Sequence, residues 1–199
     1  MRNPDPFRYP SAPHVRRHGP RYGSYSSYRD WLRDEFRFRC VFCLEREQWT
    51  QVRGRFDLDH CIPWILRPDL EVTYDNLLYT CHGCNLQKSS KLIPDPAVHA
   101  YGKCLEVVDS GEMRALNESG VILIDALDLN RATVVENRKM WIDVIRGLAG
   151  KPDLLSRLMG LPNHLPELKS PRTGNSRPDG LKETWLERRN AGLVPPILE

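Results

Sequence analysis

The chain has 199 residues, 40% of them hydrophobic and 28% charged, and its formal net charge is +3. These proportions lie near the averages for globular domains and exclude a wholly disordered or collagen-like chain. The longest apolar runs, such as residues 121–124, are far shorter than the roughly 20 residues of a membrane span. The first 20 residues carry charges and prolines, whereas a secretory signal has an apolar core. We therefore expect a cytoplasmic protein with no membrane partner.

The amino-terminal segment, residues 1–26, is rich in Pro, Arg, Tyr, Ser and Gly and shows no sustained periodicity, which predicts an extended arm. Residues 1–40 hold nine arginines against four acidic residues, a net charge of +5, so the rest of the chain sums to −2. This asymmetry is typical of contact with nucleic acid or a membrane surface, although a solubilising tail or a protein-docking segment would also produce it.

Apolar periodicity and turn residues divide the rest of the chain into three parts. Residues 27–96 are predicted to form the main domain, residues 97–160 a strand-helix extension packed on it, and residues 161–199 a proline-rich, largely irregular tail. The predicted helices cover about 28–36, 75–79, 85–88, 130–148 and a short piece at 181–189. The predicted strands cover 55–60, 104–108, 112–116 and 121–126. This order of elements predicts the α+β class, with strands and a long helix following the main domain.

Two C-x2-C pairs lie in the main domain, Cys40 with Cys43 and Cys81 with Cys84, and 37 residues separate them. Disulfides rarely persist in a reducing compartment, and two such pairs are typical of tetrahedral zinc coordination by thiolates. Redox or incidental cysteines are the alternative. The spacing therefore predicts a four-cysteine structural zinc site.

Residues that could carry chemistry lie between and beside these cysteines. Asp59 and His60 are adjacent on a predicted strand, and Asn76 and Asn85 follow. A carboxylate and an amide oxygen suit a hard divalent cation, while adjacent strand residues point to different faces. One residue of the Asp-His pair could therefore hold a metal ion while the other handles a proton.

At these residues the sequence resembles the HNH nuclease family, whose motif combines a D-H-x-x-P strand, a central N-L and a closing C-x2-C-N-x2-K. The match covers about residues 38–89. The resemblance implies a ββα-metal core: two strands, then a helix, with a catalytic ion held between strand and helix and a structural zinc ion behind them.

The resemblance also implies a role for each matching residue. His60 is the general base that takes a proton from water, and Asn76 orients it. Asp59 and Asn85 ligate a catalytic divalent ion, Mg²⁺ or Mn²⁺ by preference for oxygen ligands, with other divalent ions possible. The zinc ligands are Cys40, Cys43, Cys81 and Cys84. The candidate phosphate contacts are Lys88, Arg16, Arg17 and Arg21.

These roles predict a metal-dependent endonuclease that hydrolyses phosphodiester bonds in DNA. One alternative is a nuclease effector subunit of a partner-controlled complex of the phage-defence type, which adds a regulatory protein partner. Another is a zinc-ribbon module that binds nucleic acid without cutting it. A pure binding module has no need of Asp59, His60 and Asn85 together, which favours the enzyme.

Overall fold

The computed structural model describes residues 4–50, 56–168 and 183–198. Within these ranges the protein is a mixed α and β structure with two small antiparallel sheets. The helices are α1 (Arg29–Glu35), α2 (His82–Lys88), α3 (Glu118–Leu127), α4 (Ala132–Gly147), α5 (Pro152–Met159) and α6 (Trp185–Asn190). The strands are β1 (Phe56–His60), β2 (Leu77–Cys81), β3 (Leu105–Val107) and β4 (Met113–Ala115). None of the described helices is both long and apolar enough to cross a bilayer.

The first sheet and the helix that follows it form one unit. β1 and β2 pair antiparallel, with Phe56 opposite Cys81 and His60 opposite Leu77. Every residue of β2 is buried, and α2 begins at the next residue and packs on both strands. Asp57 and Asp59 lie two positions apart on β1 and therefore share a face. That face is turned to α2, because each carboxylate accepts a hydrogen bond from it.

Two predicted elements are wrong, and both are short apolar runs. The predicted helix over 75–79 is instead a 3-10 turn, Tyr74–Asn76, followed by β2. The predicted strand over 121–126 lies inside α3. A run of four to eight apolar residues fits a buried strand and a helix segment equally well. Local capping decides the second case, because the side chain of Asn117 accepts a hydrogen bond from the backbone N–H of Gly120 at 3.0 Å.

The elements of the extension between residues 97 and 150 otherwise follow the prediction. β3 and β4 fall within the predicted strands 104–108 and 112–116, and α4 within the predicted helix 130–148. α3 packs on β4, and at Gly120 it comes so close to the residue before β3 that an added Cβ would lie 2.0 Å from the carbonyl oxygen of Cys104. No other residue type fits that contact.

The amino-terminal segment is not an arm that extends from the domain. Phe7, Tyr9 and His18 are buried in it, and the Tyr9 hydroxyl donates to the carbonyl oxygen of Phe42. The composition predicted an extended arm because the segment lacks periodicity. Its aromatic and basic side chains are used for packing and ion pairing against the core.

The carboxy-terminal segment also returns to the core. Helix α5 was not predicted, and the backbone N–H of Leu198 donates to the carbonyl oxygen of Met159 at its end (2.9 Å). The buried guanidinium of Arg46 donates to carbonyl oxygens of the same two residues. Much of the predicted irregular tail, residues 169–182, lies outside the described residues.

Candidate functional site

Four cysteine side chains converge where the two C-x2-C segments meet. Their ligand atoms all lie within 4.8 Å of one another, and all four residues, Cys40, Cys43, Cys81 and Cys84, are buried. The sulfurs of Cys43 and Cys81 are 3.6 Å apart. A tetrahedral zinc ion with bonds of about 2.3 Å needs sulfurs spaced by about 3.8 Å, so the cluster fits a structural metal such as zinc.

Local backbone contacts hold the first cysteine pair against the sheet. The backbone N–H of Cys40 donates to the carbonyl oxygen of Glu45 at 2.8 Å, and the N–H of Leu44 donates back to Cys40. The N–H of Val41 donates to the carbonyl oxygen of Tyr79 in β2 at 3.0 Å. A main-chain hydrogen bond therefore connects the segment of the first cysteine pair to the strand that leads into the second pair.

Asp59 has one satisfied and one unsatisfied carboxylate oxygen. Its Oδ1 accepts hydrogen bonds from the backbone N–H of His60 at 2.8 Å and from Nζ of Lys88 at 3.2 Å. Its Oδ2 is buried and has no hydrogen-bond partner among the described residues. Burial raises the pKa of Asp59 and the Lys88 charge offsets only part of the effect. A buried oxygen without a partner in a folded protein is typical of a position that an ion or water fills.

Lys88 does not lie on the surface as the phosphate-contact interpretation expected. Its side chain is completely buried. The ammonium group donates to the carbonyl oxygen of His60 at 2.6 Å as well as to Asp59. Lys88 thus joins the end of α2 to the end of β1 and supplies a counter-charge for the carboxylate.

The contacts of His60 fix which imidazole nitrogen is free. Its Nε2 lies 2.9 Å from the carbonyl oxygen of Glu71. A carbonyl oxygen only accepts, so Nε2 carries the hydrogen and the neutral ring has its lone pair at Nδ1. The ring of Tyr25 packs edge-to-face on the imidazole, with 5.3 Å between centroids.

Asn76 makes different contacts from those expected. It was expected to orient the imidazole of His60, but its Oδ1 accepts from the backbone N–H of Ile62 at 2.9 Å and its Nδ2 donates to the Ile62 carbonyl oxygen at 3.0 Å. Asn76 therefore holds the turn that follows β1. Glu71 orients the ring through its main-chain carbonyl, which a side-chain motif does not reveal.

Asn85 lies beside a carboxylate that the sequence interpretation missed. Its Nδ2 donates to Oδ2 of Asp57 at 3.0 Å, and Nδ1 of His82 is 2.8 Å from the same oxygen. Because the amide nitrogen is engaged, Oδ1 of Asn85 is the atom left to bind a cation. Strand alternation was the available signal, since Asp57 is two residues before Asp59.

Two of the three candidate arginines of the arm make ion pairs within the protein. Nε of Arg16 lies 2.6 Å from Oε1 of Glu35, and the Arg16 side chain is 8% exposed. Nη2 of Arg17 lies 3.4 Å from Oδ2 of Asp34. Arg21 is exposed. Arg16 and Arg17 thus tie the amino-terminal segment to α1.

Comparison with models of known protein families finds none that matches the chain, and comparison with curated proteins likewise finds no match.

Proposed function

We propose that the protein is a metal-dependent endonuclease that hydrolyses phosphodiester bonds in DNA. The observation that carries the proposal is the buried, unpartnered Oδ2 of Asp59, on the residue next to a histidine whose Nδ1 is free to accept a proton. Both residues end a strand that packs against a helix, and that helix supplies Asn85. The resemblance to HNH nucleases in the sequence supports the same arrangement.

Two oxygen atoms would hold the catalytic ion, Oδ2 of Asp59 and Oδ1 of Asn85. Hard oxygen ligands favour Mg²⁺ or Mn²⁺, with other divalent ions possible. Such an ion, when bound, stabilises negative charge on the phosphate and on the leaving 3′ oxygen. Lys88 holds the other oxygen of Asp59, which keeps the carboxylate in one orientation.

His60 would act as the general base. Its Nδ1 takes the proton of the attacking water, and the Glu71 carbonyl holds Nε2–H so that the ring keeps this orientation. The positive charge that forms on the imidazole is stabilised by that same carbonyl. Asn76 contributes by fixing the turn immediately after the base.

The four-cysteine cluster would have a structural role. Cys81 ends β2 and Cys84 lies in the first turn of α2, so a zinc ion there fixes the direction in which α2 leaves the sheet. That direction sets the position of Asn85 relative to the carboxylates of β1. Structural zinc binding is coupled to folding in small domains, so the metal stabilises the site without taking part in catalysis.

A partner-controlled nuclease effector is a second candidate, and one surface feature favours it. Trp64, Ile65 and Leu66, which follow the catalytic strand, are 57%, 64% and 53% exposed. Contiguous exposed apolar side chains are typical of protein contact sites. This form keeps the same chemistry and adds a regulatory protein that would cover this turn.

The experiment is a plasmid-cleavage assay on the zinc-loaded protein with Mg²⁺, Mn²⁺ or excess EDTA. We expect cleavage with a divalent ion, none with EDTA, and a loss of at least a hundredfold in His60→Ala. His164→Ala, which changes an exposed histidine of the carboxy-terminal segment, is the matched control and should cleave normally. Binding of DNA without cleavage by the parent protein would instead support the zinc-ribbon module.

A further inference from the structure

A second concave site lies between the amino-terminal segment, the turn after α1 and helix α6. The cavity has a volume of about 300 Å³, at the lower end of the range for small-molecule sites. Four arginines line it: Arg17, Arg37, Arg39 and Arg188. None of the residues proposed for nuclease catalysis contributes to this lining.

Arg39 carries the main observation. It is 4% exposed, and its Nη1 is buried without a hydrogen-bond partner among the described residues. None of the ion pairs formed by the described residues includes it. A buried guanidinium without a counter-charge is costly, because neither water nor a carboxylate compensates its lost hydration.

The single acidic side chain among the described lining residues is already used. Glu35 lines the cavity, but its carboxylate accepts from the ring of His14 and from backbone N–H groups and pairs with Arg16. Of the other lining arginines, Arg17 pairs with Asp34 at 3.4 Å, and Arg188 lies 3.8 Å from Glu183. No acidic side chain among the described lining residues therefore remains to balance Arg39.

The cysteine cluster does not supply the missing negative charge. Burial and then the charges of Arg46 and Arg37 lower the pKa of Arg39 to about 9, so Arg39 stays protonated at neutral pH while two other guanidinium groups repel it. The thiols of the cluster act electrostatically on a different arginine, Arg138. Among the residues that the structure describes, no negative group therefore balances Arg39.

We propose that this cavity binds the phosphate monoester group of a small molecule, of mononucleotide size or smaller. Planar guanidinium groups match phosphate oxygens in pairs, and a phosphate monoester carries about −1.5 to −2 at neutral pH. A dianion balances several arginines better than a single carboxylate does. The cavity volume leaves space for little beyond one nucleotide. This proposal does not depend on the nuclease activity.

Isothermal titration calorimetry of the zinc-loaded 199-residue chain tests it with inorganic phosphate, 5′-AMP and adenosine as probes. We expect saturable 1:1 binding of 5′-AMP, weaker binding of phosphate, and none of adenosine. Two oligonucleotides that differ only in a 5′-phosphate separate a free nucleotide from a strand end as the source of the group. Equal binding of adenosine and 5′-AMP, or no binding of any phosphate, would overturn the proposal.

Substitutions place the binding in this cavity. Arg39→Met should weaken 5′-AMP binding at least tenfold and raise the melting temperature of the ligand-free protein, because it removes a buried unpaired charge. Arg188→Gln, at the partly exposed rim, should weaken binding with the fold intact. Arg114→Met is the charge-matched control, since Arg114 is exposed and paired with Glu106. Equal affinity in Arg39→Met and Arg114→Met would contradict the site.

Discussion

The ammonium group of Lys88 lies 3.2 Å from Oδ1 of Asp59, and Lys88 is completely buried. The pair joins the last residue of α2 to the proposed metal ligand on β1. It leaves Oδ2 of Asp59 as the free oxygen. The geometry of the candidate catalytic centre therefore depends on an internal lysine that the motif alone assigned to a phosphate contact.

Lys88→Met should destabilise the protein by about 3–5 kcal/mol, because it leaves the Asp59 carboxylate buried without its cation. Urea denaturation of the zinc-loaded protein measures the change. Lys91→Met is the matched control, since the Lys91 ammonium is exposed and donates to a single carbonyl oxygen; it should cost less than about 1 kcal/mol. Unchanged stability with weaker DNA binding in Lys88→Met would restore the phosphate-contact interpretation.

Cys81→Ser should lower the bound zinc to below one ion per chain and reduce the melting temperature strongly, because a structural zinc site contributes directly to folding. Metal analysis and thermal denaturation measure both effects. Cys61→Ser is the control, because Cys61 is buried but lies outside the cluster. Its zinc content should equal that of the parent. A parent protein that is stable and free of zinc would refute the four-thiolate site.

Glu35 makes stability depend on pH in the acid range. Burial alone would raise its pKa, but the Arg16 charge and hydrogen bonds from His14 and the His18 backbone outweigh burial and lower it from 4.5 to about 2. A carboxylate with a depressed pKa contributes stability above its unfolded value, and the contribution is lost as pH falls through the folded value. The stability that Glu35 adds is therefore complete above about pH 4.5 and is lost by about pH 2.

The measurement is the difference in unfolding free energy between the parent and Glu35→Gln, taken at several pH values from 6 to 2. Zinc loss at low pH affects both proteins alike and therefore cancels in the difference. We expect the pH-dependent part of the difference to be on the order of 3 kcal/mol and to shrink as the pH falls. A difference that stays constant over this interval would show that Glu35 has no depressed pKa.

Asn76→Ala separates two roles for this asparagine. Because its side chain makes two partly buried hydrogen bonds with the backbone of Ile62, we expect a stability loss of about 2 kcal/mol and reduced cleavage. The pH profile of the remaining cleavage should match that of the parent. A shift in the apparent pKa of the general base in that profile would instead support a direct role of Asn76 in orienting His60.

The sequence predicts the four-cysteine cluster well because the residue type and the spacing together specify it. The two C-x2-C pairs converge as expected, and the strand that bears Asp59 lies within one residue of its predicted bounds. The predictions of secondary structure fail where tertiary contacts determine whether a segment forms a helix or a strand. The apolar run Leu77–Tyr79 becomes a buried strand through pairing with β1, and no local signal specifies that pairing.

The amino-terminal segment shows a second limit of sequence interpretation. Its arginines suggest a free basic arm, yet Arg16 and Arg17 find carboxylates on α1. The composition gives the number of charged residues but does not show which of them form ion pairs in the folded protein. For the same reason the unpartnered state of Arg39 is visible only after folding, because it depends on which acidic residues reach the cavity.

The most direct test of the proposed chemistry is chemical rescue of a His60→Gly protein by imidazole in plasmid cleavage. Imidazole can enter the space left by the side chain and accept the proton of water. With zinc and Mg²⁺ or Mn²⁺ present, we expect His60→Gly to be inactive and added imidazole to restore cleavage in proportion to its neutral form. Cleavage by His60→Gly at the parent's rate without imidazole would contradict the role of His60 as the base.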